Sequence, residues 1–128
     1  MAQMLRDSFK HGFPELNWQK AKEEARSSMI AVARRRGMMT YSDLVRVIQS
    51  ISLQPHDPRL FHFLGEISSE EDHAGRGLLT VVVVHKYGDM EPGKGFYELA
   101  ASLGRDTSDL QKCWIEELHN VHKTWGAL

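Results

Sequence analysis

The sequence predicts a mostly helical α+β domain, with about five helices around a short sheet. Residues 78–87 (LLTVVVVHKY) contain four consecutive valines between glycine-containing segments, a pattern typical of a β-strand. Polar residues do not alternate along this run, so the long strand is predicted to be buried on both faces. The other segments with regular apolar spacing have a helical period. Helices are therefore expected to cover the strand.

Composition indicates one folded domain. The chain has 128 residues, of which 41% are hydrophobic and 26% are charged, enough for one core without disulfides or metal. Its single cysteine, Cys113, cannot form an internal disulfide, which favours a reducing, cytoplasmic location. No window approaches the roughly 18 apolar residues that span a membrane. The first residues are unlike a signal peptide, so no membrane partner is expected.

The first part of the chain is expected to differ from the rest. Residues 1–16 have no apolar periodicity and contain Gly12 and Pro14, so they are predicted to form a flexible arm. Residues 17–128 are predicted to form a single globular domain.

The first helix is predicted from Trp18 to about Arg36, with Asn17 as its N-cap and Gly37 as the residue that ends it. Apolar residues at helical spacing predict its buried stripe: Trp18, Ala21, Ala25, Met29, Val32 and Ala33.

Capping residues predict the next two helices. Thr40 and Asp43 form a capping-box arrangement at the start of the second helix. Asp57 followed by Pro58 places an acceptor at the N-cap and a proline at the first position of the third. The acidic run at residues 70–72 lies where the helix dipole disfavours negative charge. We therefore expect the third helix to fray or stop early.

Two further helices are predicted in the last third of the chain. The fourth has an apolar stripe and ends at Gly104; the stripe is Phe96, Leu99, Ala100 and Leu103. The fifth is expected to begin at Thr107 or Ser108, and its apolar side is Leu110, Trp114, Leu118, Val121 and Trp125.

The turn between the first two helices carries a family resemblance. Residues 36–44 (RGMMTYSDL) are similar to the Gly-x-x-Thr-Tyr-x-x-Leu turn of the alkyltransferase-like DNA-repair proteins, which are winged-helix domains. The resemblance implies a winged-helix-like arrangement with strand 38–40 beside strand 78–87. The Pro-Cys-His-Arg active-site sequence of that family is absent, so alkyl transfer is not implied. The Leu78 run and the following Pro-Gly-x-Gly-Phe-Tyr loop also resemble a family of small uncharacterised bacterial proteins, a resemblance that implies no activity.

Charge is divided unevenly along the chain. Residues 1–60 carry ten Lys or Arg and six Asp or Glu, whereas residues 61–128 carry six and eleven. The basic half supplies the residues predicted to contact DNA, RNA or an acidic protein partner: Arg34, Arg35, Arg36, Arg46 and Arg59. The pI of 6.6 is low for a nucleic-acid-binding domain, so both kinds of partner stay open.

A second candidate site is the loop Pro92-Gly93-Lys94-Gly95-Phe96, which opens a predicted helix. Backbone amides at a helix start can bind an anion, with Lys94 assisting. Together with His85, Lys86 and Glu91, the loop outlines the pocket of a small enzyme or ligand-binding domain. The loop lacks the complete P-loop and dinucleotide patterns, which favours its interpretation as a simple turn.

No complete catalytic constellation can be assembled from the sequence, so a non-catalytic binding module is predicted. A protein-binding inhibitor or immunity-type protein is an alternative that fits the small size equally well. Glu116, His119 and His122 do not have the spacing of the helical zinc signature, so neither a metal nor a cofactor is expected.

Overall fold

The computed structural model describes residues 8–86 and 91–126. The elements are β1 (Phe9–Lys10), β2 (Phe13–Pro14), α1 (Glu15–Arg34), β3 (Met39–Thr40), α2 (Tyr41–Val47), α3 (Pro58–His73), a 3-10 helix (Leu79–Val82), β4 (Val83–Val84), α4 (Lys94–Ser102) and α5 (Leu110–Gly126). The described chain is α+β and mostly helical, as the sequence predicts. No helix in these described ranges has the length and apolar character needed to cross a membrane.

The valine-rich run lies in the core, but most of it is not a strand. All seven side chains of residues 78–84 are buried. Residues 79–82 form the 3-10 helix, which packs against α1, α3 and α5, and only Val83 and Val84 form a strand. The predicted length of the strand is therefore wrong. The predicted burial is confirmed for residues 78–84, whereas His85 and Lys86 are exposed. Tyr87 lies outside the described residues.

Strand β4 is short because its partner is short. β3 has only two residues, since α2 begins at Tyr41. It pairs in parallel with β4, with Met39 opposite Val83 and Thr40 opposite Val84. This is the predicted placement of the residue 38–40 segment beside the valine run, although it extends over two residue pairs only.

Before β4, two buried amides of the run donate to side chains rather than to another strand. The Leu78 N–H donates to the carboxylate of Glu117 over 2.9 Å, and the Thr80 N–H donates to Ser68 Oγ over 3.1 Å. The hydroxyls of Ser68 and Thr80 share a further hydrogen bond of 2.7 Å. Because buried amides require acceptors, these polar groups make the 3-10 conformation possible inside the core.

Helix α1 buries the whole predicted stripe, and none of its six residues is more than 4% exposed. The helix begins at Glu15, earlier than the predicted Trp18, because the β1–β2 hairpin leads directly into it. Asn17 therefore lies inside the helix and does not cap it; its side chain donates to the Ser50 carbonyl over 3.2 Å.

The C-terminal end of α1 also differs from the prediction. The left-handed residue is Arg36, with φ of 55°, and not Gly37. The Arg36 N–H donates to the Ala33 carbonyl over 3.0 Å, and the Gly37 N–H donates to the Val32 carbonyl over 2.9 Å. These two bonds form a Schellman ending in which an arginine occupies the position usually taken by glycine.

The predicted caps of α2 and α3 are confirmed. The Asp43 N–H donates to Thr40 Oγ1, and the Thr40 N–H donates back to the Asp43 carboxylate, so both bonds of the capping box are present. At the start of α3, Asp57 accepts from the Arg59 N–H over 2.9 Å, and Pro58 is the first helical residue.

Helix α3 continues to His73, so the expectation of early fraying is wrong. Glu70 pairs with Lys22 at 2.6 Å, and Glu71 pairs with both Arg26 and Arg76 at 2.7 Å. The guanidinium groups of Arg76 and Arg26 hold the pKa of Glu71 below its usual range. These ion pairs offset the unfavourable interaction of the acidic run with the helix dipole.

Helix α5 begins at Leu110, after the predicted start, and Leu110 is 48% exposed. Its buried residues are Cys113, Glu117 and Val121. Val121 of the predicted apolar side is buried, and Trp114, Leu118 and Trp125 are partly buried against the core, so only Leu110 is misplaced. The prediction omitted Cys113 and Glu117, which lie on the same core face.

Candidate functional site

The C-terminal end of α1 presents three exposed arginines, Arg34, Arg35 and Arg36. In the described part of the chain, none of their guanidinium groups forms an ion pair with a carboxylate. Arg46, near the end of α2, is 73% exposed and lies 3.2 Å from Asp43, one helical turn earlier. An exposed pair of this kind contributes little to stability, which leaves these cations accessible to a partner.

Two of these arginines border a groove between α1 and α2, called here the basic groove. Its volume is about 350 Å³. Its lining residues are Ser28, Ala31, Val32, Arg35, Met38, Met39, Asp43, Arg46 and Val47. The lining thus combines apolar side chains with the cations of Arg35 and Arg46 and the carboxylate of Asp43. The structure brings these two predicted residues together.

The other two arginines lie outside the lining of the basic groove. Arg36 lies against the end of α5, where a Cβ at Gly126 would be 3.4 Å from Arg36 Nε. The same part of α5 is joined to the turn that follows α1 by the His122 ring, whose Nε2 is 2.9 Å from the Gly37 carbonyl oxygen. Arg34 lies on the exposed side of the last turn of α1.

Arg59 has a different environment from the other predicted arginines. It pairs with Asp57 at 2.8 Å, its guanidinium lies 4.5 Å above the Phe13 ring centroid, and it donates to the His11 carbonyl. Hydrogen bonding from Arg59 lowers the pKa of Asp57 to about 2. Arg59 therefore joins the β1–β2 hairpin to the start of α3.

The glycine-rich loop packs against α2 and β4. The Gly93 N–H donates to the Tyr41 hydroxyl over 2.9 Å, and the His85 N–H donates to the Glu91 carbonyl over 2.9 Å. The Tyr97 hydroxyl donates to the Glu91 carboxylate over 3.3 Å. Burial, followed by the nearby Glu91 charge, raises the pKa of Tyr97 to about 12. The Lys94 side chain is 90% exposed, close only to Glu98 at 3.9 Å among the described residues.

Two cavities adjoin at Tyr41. The inner cavity, of about 230 Å³, lies between α3 and α4 and is lined mainly by apolar side chains that include Phe61, Phe96 and Leu99. The outer cavity, of about 320 Å³, is lined by Tyr41, Ser42, Pro55, His56, His85 and Lys86. The structure therefore brings the predicted His85 and Lys86 together, whereas Glu91 and Lys94 line neither cavity.

Tyr41 and His56 are cavity residues that the sequence analysis did not select. Tyr41 belongs to the Thr-Tyr pair of the turn motif, so that motif contained a usable signal. His56 stands in the linker before α3, where no spacing pattern distinguishes it.

Two helical glycines provide a test of packing around the inner cavity. A Cβ at Gly95 would lie 2.3 Å from Phe61 Cδ1, whereas a Cβ at Gly65 would have nothing within 4 Å. Neither residue has a positive φ, so space rather than backbone conformation decides the outcome. We expect Gly65→Ala to raise the free energy of unfolding by roughly 0.5–1 kcal/mol, and Gly95→Ala to lower it by about 1 kcal/mol because Phe61 must move.

Urea unfolding of the two variants, monitored by circular dichroism, measures this difference. Gly65→Ala serves as the matched control, since both substitutions add one methyl group to a helix. An equal stabilisation by both substitutions would contradict the packing of Phe61 on Gly95.

No group of three or more His, Cys, Asp or Glu side chains is placed to hold a metal ion within residues 8–86 and 91–126. Comparison of the chain with protein-family models, with curated proteins and with solved structures gives no match.

Proposed function

We propose that the protein is a non-catalytic, winged-helix-like binding module whose basic groove holds an acidic segment of a protein partner. The observation that carries this proposal is the placement of two exposed guanidinium groups, on Arg35 and Arg46, beside the apolar side chains of one groove. Such a groove complements a segment that carries both carboxylates and an apolar side chain.

The floor of the basic groove supports a protein partner over nucleic acid. Met38, which is exposed, contributes a flexible thioether side chain that adapts to the apolar side chains of different partners. Single-stranded nucleic acids stack their bases on aromatic side chains, and the lining of this groove contains none.

The order α1, β3, α2, α3, β4 is compatible with the winged-helix resemblance. In a helix–turn–helix protein the second helix of the motif enters the DNA major groove, and α3 would occupy that position here. However, α3 carries Glu66 and Glu70, which pair with Lys22 of α1, and its first cation, Arg59, is held by Asp57. These contacts favour a protein partner over DNA binding by α3.

Inhibition of an acidic partner protein is one form that binding by this module would take.

Fluorescence anisotropy with two labelled probes tests the proposal. One probe is a short peptide with Glu and Leu at helical spacing, and the other is a short DNA duplex. We expect salt-sensitive binding of the peptide that weakens about tenfold or more in Arg34→Ala/Arg35→Ala/Arg46→Ala. Arg36 is left unchanged because its left-handed φ would complicate the result.

The matched control is Lys20→Ala/Lys94→Ala/Lys112→Ala, which removes the same amount of charge from exposed positions elsewhere. It is expected to bind the peptide as the unmodified protein does. Equal weakening in both triple variants would show a general charge effect. Binding of the duplex alone, abolished by the arginine variant, would replace the protein partner with nucleic acid.

A further inference from the structure

We propose that the two adjoining cavities form one binding site for a small aromatic carboxylic acid, with the ring in the inner cavity and the carboxylate in the outer one. This site lies at the glycine-rich loop and does not depend on the basic groove.

The inner cavity fits a single aromatic ring. Its volume is about 230 Å³, and its walls include Phe61, Leu64, Phe96 and Leu99. Cavities of roughly 150 Å³ with comparable apolar walls bind benzene. The additional volume accommodates a short chain attached to the ring. The polar residues on this lining are Tyr41, His56, Asp57 and Thr80, and the Asp57 carboxylate is paired with Arg59. The other lining residues are apolar or glycine, so the ring meets mainly apolar surface.

The outer cavity supplies groups that complement a carboxylate. The His56 and His85 rings make no hydrogen bond within the described part of the chain, and each ring has a nitrogen that can donate one. Lys86 belongs to the same lining. Hydrogen bonds from such groups to an ionised carboxylate are stronger than those between neutral groups.

Tyr41 connects the two cavities, since it lines both together with Pro55 and His56. Its hydroxyl accepts the Gly93 N–H, which leaves the hydroxyl proton available to donate. A Cβ at Gly93 would lie 3.2 Å from the Tyr41 hydroxyl and 3.3 Å from His85 Nε2. Glycine at this position therefore keeps open the space in which these two polar atoms converge.

The arrangement orients the ligand. An apolar cavity that ends in hydrogen-bond donors binds an amphipathic molecule in one direction, because the reverse orientation would bury the carboxylate without partners. A neutral molecule of the same shape lacks the charge-assisted bonds, and a short aliphatic acid lacks the ring.

The experiment is a titration followed by ¹H–¹⁵N NMR with three probes: 3-phenylpropionate, 3-phenylpropan-1-ol and propionate. We expect 3-phenylpropionate to shift the amide signals of Gly93 and Gly95 most strongly. The alcohol is expected to bind at least about tenfold more weakly than the acid, and propionate is expected to cause no saturable shift. An absence of saturable shifts with 3-phenylpropionate, or equal binding of the acid and the alcohol, would overturn the proposal.

Ser42 offers a variant that changes the ligand site with little effect on the fold. It lines the outer cavity and lies in the first turn of α2, where a negative charge is favoured by the helix dipole. Ser42→Glu is expected to weaken 3-phenylpropionate binding about tenfold or more through charge repulsion, and Ser42→Gln, of similar size, is expected to weaken it less. Equal affinities in the two variants would overturn the placement of the carboxylate.

Discussion

Val82→Asp is expected to leave the chain unfolded at neutral pH. The Val82 side chain is fully buried in the 3-10 helix, which three helices cover. A carboxylate at this position would lose its hydration. It would also be a buried charge without a partner, which is strongly destabilising. Because the whole free energy of unfolding of a domain is about 5–15 kcal/mol, this single change is expected to exceed what the fold tolerates.

Circular dichroism and thermal melting test this expectation. Ile115→Asp is the matched control, since it also replaces a β-branched residue with aspartate but at a position that is 52% exposed. The control is expected to melt cooperatively close to the unmodified protein. A cooperative melt of Val82→Asp in the same temperature range would show that the valine run is not central to the core.

Glu117→Leu is expected to lower the free energy of unfolding by about 3–5 kcal/mol. Glu117 is buried in α5, accepts the Leu78 N–H and pairs with Arg105 at 3.0 Å. Its loss would leave the buried Leu78 amide without an acceptor. Arg105 would then pair with Asp72 alone among the described carboxylates. Leucine has a similar volume, so the change chiefly reports the lost polar contacts.

Denaturant unfolding measures this effect, with Glu116→Leu as the control on the neighbouring exposed position. The control is expected to change stability by no more than about 0.5 kcal/mol. The double variant Glu117→Leu/Arg105→Leu is expected to lose less stability than the sum of the two single variants, because either single change already removes the ion pair between Glu117 and Arg105. A loss below about 1 kcal/mol in Glu117→Leu would contradict the structural role of this carboxylate.

The parts of the fold that depend on local sequence could be predicted. The buried stripe of α1 follows from apolar spacing alone. The caps at Thr40 and Asp57 are local as well, because each side chain accepts a hydrogen bond from an amide no more than three residues away. The valine run could not be resolved in the same way. A run without polar residues has no period, so spacing cannot separate a buried strand from another buried conformation.

Other features depend on contacts between distant segments. Glu70 and Glu71 remain helical because Lys22 and Arg26, more than forty positions earlier, lie against them. Glu117 interrupts the apolar pattern of α5, and only the packed core shows that Leu78 needs its carboxylate. Such pairings leave no periodic signal in the sequence.

The candidate sites could be predicted in part. The arginine cluster at the end of α1 and Arg46 were selected by charge, and the structure places Arg35 and Arg46 on one groove. Arg59 was selected for the same reason, but its contacts are with Asp57 and the hairpin. The outer cavity joins Tyr41, His56 and His85 from three separate segments. His85 and, through the turn motif, Tyr41 have a local signal in the sequence, whereas His56 has none.

A charge-reversal titration tests most directly whether Arg35 and Arg46 hold carboxylates of a protein partner. The variant Arg35→Glu/Arg46→Glu is titrated with the Glu- and Leu-containing peptide and with the same peptide carrying Lys in place of Glu. We predict that the charge-reversed groove no longer binds the acidic peptide and binds the basic one instead, because the electrostatic attraction depends on the sign of the charges that line the groove. Unchanged binding of the acidic peptide, or failure of the reversed groove to bind the basic peptide, would contradict the account.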